Sequence, residues 1–193
     1  ASAENIPELP YDYSGSFEDV GYLAGDLKRV TLTGKPPNIL VYVGSDPGKV
    51  KFEEVKSIVM ECVDVNAYTI YQLLEDQVFS VPWVDNALLL VIAASEPISP
   101  AVSEQFLIFM SKGGKVLGLS ASFAFGGIQV NNKDEVMDTV QALVFSKAKD
   151  YEIKLNVLGS GKVFKRETAE ELSSVKPLGY LDSTDKDMVI VQL

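Results

Sequence analysis

The stretch Lys112-Gly113-Gly114-Lys115-Val116-Leu117-Gly118-Leu119-Ser120-Ala121-Ser122-Phe123 decides how the fold is read. Two glycines stop a helix, a short apolar run follows, and small residues then surround one hydroxyl. That order predicts a helix end, a buried strand and a tight turn. A strand that turns sharply into a helix is how a nucleophile elbow is built, and the residues two before and two after the nucleophile must then be small. Here those are Gly118 and Ser122, with Ser120 at the nucleophile position.

Working outward, a helix is predicted over 99–111, with Val102, Phe106, Phe109 and Met110 inward, and a strand over 87–93, the most apolar run in the chain. Asn38-Ile39-Leu40-Val41-Tyr42-Val43 reads as another strand buried on both faces. The turn Gly44-Ser45-Asp46-Pro47-Gly48 leads into a helix over 50–62, whose Phe52, Val55, Val59 and Cys62 share a face. Cys62 is therefore expected to be buried. A further strand is read over 68–73, and a broken segment over 74–86 holds Trp83, read as a core anchor. Strands alternating with helices and buried on both faces predict a doubly wound α/β fold with a mostly parallel sheet.

Later strands are read at 140–145, 151–158, 162–164 and 187–193, with a polar turn at 168–174. They are expected to be antiparallel and to close one edge of that sheet. Residues 1–35 have no sustained period and are read as an arm or linker with a strand at 29–33. Residues 36–193 form the α/β domain. A beginning of this kind suggests a piece of a longer protein.

Ligands of doubly wound sheets bind beyond the carboxyl ends of the strands. Those ends are Gly44-Ser45-Asp46, Ala94-Ser95-Glu96 and Ser120-Ala121-Ser122. The predicted pocket residues are Gly44, Ser45, Asp46, Ser95 and Glu96, with neither cation nor base beside them. Gly44-Ser45-Asp46-Pro47-Gly48 matches no phosphate-cradling motif, and Asp46 would repel phosphate. Asp46, Asp64 and Glu96 are read as exposed carboxylates rather than a shared site.

The 193 residues carry a net charge of −10 and no histidine. The acidic balance argues against nucleic acid and against an anionic membrane. The cluster Lys162, Lys165, Arg166 reads as a solvated surface. No apolar run is long enough to span a bilayer. Without histidine, Ser-His and Cys-His mechanisms within the chain are excluded, along with most transition-metal sites. One cysteine allows no intrachain disulfide, and an intracellular compartment is expected.

Gly118-Leu119-Ser120-Ala121-Ser122 resembles the G-x-C-x-G elbow of class I glutamine amidotransferases. Ser120 stands where the thiol would be, and Ser122 replaces the second glycine. Without thiol or histidine the site reads as a vestigial elbow of Gly118, Ser120 and Ser122, with no catalytic residue. The stretches 37–46, 71–76, 85–93, 113–120 and 143–148 resemble the N-terminal region of the eukaryotic biotin–protein ligases, the family of holocarboxylase synthetase. The resemblance implies a flavodoxin-like, class I amidotransferase-like fold. It also implies a parent enzyme that joins biotin to a carboxylase lysine with ATP and Mg²⁺, in cytosol and mitochondria. The ligase core of that family has a Gly/Arg-rich loop and a Lys-Trp-Pro-Asn-Asp stretch. This sequence has neither, its one tryptophan lying in Pro82-Trp83-Val84. The resemblance therefore implies a non-catalytic segment that needs no cofactor of its own. Its partners would be the ligase core and the biotin-acceptor domains of carboxylases. A small-molecule sensor, or a hydrolase using a pocket at Ser120, is the alternative.

Overall fold

The structure, a computed structural model, describes residues 37–45, 49–123, 128–148, 151–166 and 175–192. The arm before Pro36, with its expected strand, lies outside these residues, as do Asp46 and the polar turn at 168–174.

Strand β1 (Asn38–Tyr42) alternates its apolar side chains between two covered faces. Ile39 and Val41 pack with Val55 and Val59 of helix α1 (Lys49–Cys62). Leu40 and Tyr42 pack with Val102, Phe106 and Phe109 of helix α3 (Pro100–Ser111). Between these helices the chain forms β2 (Thr69–Gln72), the short α2 (Gln77–Ser80) and β3 (Ala87–Ile92); β4 (Lys115–Gly118) follows α3. All pairings in this four-stranded sheet are parallel, in the order β2-β1-β3-β4. Helices thus lie on both faces, and the order matches the first four strands of a flavodoxin-like sheet.

Helix α3 has clear start and stop signals. Ser99 caps its N-terminus by accepting from the Val102 N–H, and Pro100 follows at the first helical position. At the other end, Gly113 donates to Met110 and Gly114 to Phe109, each at 2.9 Å, a Schellman motif. Gly113 has φ +83°, and a Cβ on Gly114 would stand 2.4 Å from the Phe109 ring. Inside, Tyr42, Trp83, Phe106, Phe109 and Phe123 form a chain of ring contacts with centroids 5.2–6.1 Å apart. Trp83 is buried as expected, and its indole donates to the Val78 carbonyl. Each such fully buried side chain contributes about 1.5–3 kcal/mol.

The later strands are antiparallel as expected but are placed differently. β5 (Ile128–Asn132), β6 (Val140–Ala148), β7 (Tyr151–Leu158), β8 (Lys162–Arg166), β9 (Lys176–Leu181) and β10 (Met188–Gln192) form a six-stranded sheet of their own. All its pairings are antiparallel. Among the described residues these strands do not close an edge of the parallel sheet, and six of the ten strands are antiparallel, so the fold is not mostly parallel. β5 and β9 escape a pattern reading because Asn131-Asn132 and Pro177 with Gly179 are poor strand formers.

Cys62 is exposed, not buried. The apolar face of α1 ends at Val59. Val63, just beyond the helix, completes the cluster in its place.

Candidate functional site at the carboxyl ends of the parallel strands

β1 and β3 are neighbours whose crossovers leave in opposite directions, to α1 on one face and α3 on the other. That is the switch point at which open α/β sheets take ligands. A cavity of about 340 Å³ lies there, lined by Tyr42, Gly44, Ser45, Glu75, Glu96 and the start of α3. Of the expected pocket residues, Gly44, Ser45 and Glu96 meet in it. Ser95 and Ser120 do not line it, and Asp46 is outside the described residues. Asp64 is in the turn after α1, accepting from the Asn66 N–H. Tyr42 and Glu75 carry no motif, and only the fold brings them together. Burial pushes the Tyr42 phenol up to about 12. The charge of Glu75 and its hydrogen bond from that phenol add to the effect.

The turn after β4 is a bulge. The Leu119 N–H donates to the Ile92 carbonyl and the Ser122 N–H to that of Ala94, so the chain still follows β3 with one residue too many. Ser120 absorbs the excess at φ +50°, in the left-handed region disfavoured for a residue with a Cβ. No helix follows directly among the described residues, and β5 begins at Ile128. A Cβ on Gly118 would make only ordinary contact, at 3.9 Å from Ala121. The Ser120 side chain is exposed. Phe123 anchors the far side of the turn on Phe106.

Ser122 is the held hydroxyl. Its Oγ donates to the Ser95 carbonyl at 2.9 Å and accepts from Lys162 Nζ at 2.6 Å. Lys162 also donates to the Ser95 carbonyl, at 3.3 Å. On the other side of Ser95, Lys51 Nζ donates to Ser95 Oγ. The expectation of no cation here is thus corrected, as is the reading of Lys162 as solvated surface. β8 carries Lys162 to the parallel sheet from 40 residues beyond Ser122, and α1 delivers Lys51.

The chemistry follows from the direction of these bonds. Lys162 donates in both of its bonds. The Ser122 proton is committed to a carbonyl. The described residues hold no group of three His, Cys, Asp or Glu placed to bind a metal ion.

The chain is 50% identical, over 198 aligned residues and its whole length, to the human biotin–protein ligase. It is homologous to part of a biotin–protein ligase. The match spans 27% of that relative's length. No protein-family model matches the chain. Its fold is similar to that of a ThuA-like protein from Bacteroides uniformis, with a TM-score of 0.55 over 82% of this chain and 75% of the other. At 15% identity that likeness concerns the fold alone, which is glutamine-amidotransferase-like. No helix among the described residues is long and apolar enough to cross a membrane.

Proposed function

We propose that this chain is the non-catalytic N-terminal segment of a biotin–protein ligase. It contacts the ligase core of the same polypeptide and helps it select the carboxylase acceptor. The observation that carries the reading is the 50% identity to the human enzyme along the whole chain. The absence of histidine from the sequence supports the non-catalytic part. ATP, Mg²⁺ and biotin serve the parent's ligation and are assigned to the remainder of it, in cytosol and mitochondria.

The test compares the full-length ligase with a form lacking this segment, on an isolated acceptor domain. Loss of the segment raises KM for the acceptor and leaves biotinyl-adenylate formation unchanged. The purified segment also binds the ligase core by calorimetry or crosslinking. Unchanged acceptor kinetics together with no binding would reject the reading. A serine-directed fluorophosphonate leaves the segment unlabelled, whereas a stoichiometric adduct on Ser120 would restore the hydrolase alternative.

One observation favours a second reading, small-molecule sensing: the cavity at the switch point between β1 and β3. A thermal-shift screen with biotin, ATP and glutamine decides it, because a ligand that binds only the native state raises its stability.

A further inference from the structure

We propose that Lys51, Ser95, Ser122 and Lys162 form a binding site for a phosphate dianion, free or as a small phosphomonoester. The inference goes beyond the module reading and does not depend on it.

An ammonium has three N–H donors and no acceptor. Lys162 commits two of its donors, to Ser122 Oγ and to the Ser95 carbonyl. Lys51 commits one, to Ser95 Oγ. Ser95 Oγ is thereby an acceptor, and its own proton is left to donate outward. Ser122 Oγ accepts from Lys162 and spends its proton on the Ser95 carbonyl. Each of these oxygens already accepts at least one bond, while both ammoniums and the Ser95 hydroxyl keep donors. The complement of such a set is an oxyanion.

Charge points the same way. Both ammoniums are held on Ser95, and all the acceptors they use are neutral. Among the described residues neither lysine has a carboxylate within ion-pair distance, although the chain carries 27 acidic side chains. Glu96, the next residue, lines the cavity, which neither lysine lines. Two like charges so placed repel, and a dianion relieves both at once. Lysine is a point-charge binder of phosphate, and a carboxylate would balance only one of the two ammoniums. The group sits beyond the carboxyl ends of β3 and β4, where a doubly wound sheet receives ligands.

The test is calorimetry and ¹H–¹⁵N NMR titration of the described protein with inorganic phosphate, and separately with glycerol phosphate, at constant ionic strength. Sodium acetate and chloride are the controls. Saturable binding of phosphate, with shifts centred on Ser95 and Ser122, is expected. Lys51→Gln and Lys162→Gln each weaken it at least tenfold. Glycerol phosphate binding as well as inorganic phosphate identifies an ester site, and its failure identifies a site for the free ion. Absence of saturable phosphate binding overturns the proposal. So does equal binding of acetate, or unchanged affinity in Lys51→Gln. That variant keeps the test decisive if Lys162→Gln, which removes a contact between the two sheets, does not fold.

Discussion

Lys162 Nζ of the antiparallel sheet lies 2.6 Å from Ser122 Oγ at the end of the parallel one. The bond is charge-assisted and half-buried, and such bonds contribute about 1 kcal/mol net. In a double-mutant cycle of Lys162→Met and Ser122→Ala, the urea unfolding free energies should couple by about that amount. Additive losses would mean that the contact does not hold the sheets together.

Gly114 and Gly113 are adjacent but small for different reasons. Gly114→Ala drives a methyl into the fully buried Phe109 ring and should cost about 1–3 kcal/mol or more. Gly113→Ala meets open space and bears only its positive φ, costing about 1 kcal/mol. Denaturant midpoints should rank Gly114→Ala as the less stable. The opposite order would place the demand on backbone angle rather than on packing.

Ser120 holds φ +50° with a side chain. Ser120→Gly removes that penalty but loosens the unfolded chain, so a net gain of up to about 1 kcal/mol is expected. A loss of stability on this substitution would show that the Ser120 side chain contributes contacts worth more than its strain.

The Tyr42 phenol is raised to about 12 by burial, then by the charge and hydrogen bond of Glu75. A phenol raised above its unfolded value keeps the folded chain protonated where the unfolded chain has already lost the proton. Its contribution is full below about pH 10 and is lost as pH rises through about 12, up to about 2–3 kcal/mol. Tyr42→Phe should flatten that part of the alkaline decline in stability. Parallel wild-type and variant curves between pH 10 and 12 would contradict the buried phenol.

Cys62 stands at the exposed end of α1. A thiol reagent should label it fully in the native state, at a rate unaffected by low denaturant. Cys62→Ser should change stability by no more than about 0.5 kcal/mol. Protection from the reagent would put the thiol back in the core.

What could be read from the residues follows the strength of local pattern. β1, β3 and α3 were legible because both faces of each strand are apolar, and because α3 has a serine cap, a proline and two glycines at its ends. Trp83 was legible as core for a similar reason. The division into two sheets was not, because strand pairing is non-local and nothing in Lys162-Val163-Phe164 names its neighbours. At the site, Gly44, Ser45 and Glu96 followed from the rule of strand ends, while Glu75 and Tyr42 needed coordinates. The lysines were missed because a half-buried ammonium and a solvated one look alike in sequence. The bulge at Ser120 was not legible because small residues suit an elbow and a bulge alike.

The order of the antiparallel sheet has a bearing on how the chain is made. Its last strand, β10, is an interior one, between β8 and β9. On the ribosome, residues 38–118 can complete the parallel sheet early from contiguous sequence. The pair β5–β8 and the triplet β9–β6–β7 wait as separate pieces until residues 188–192 emerge and join them. During that interval two open strand edges face each other without a partner, so this half of the molecule is where translation speed and chaperone access should decide the yield of native protein.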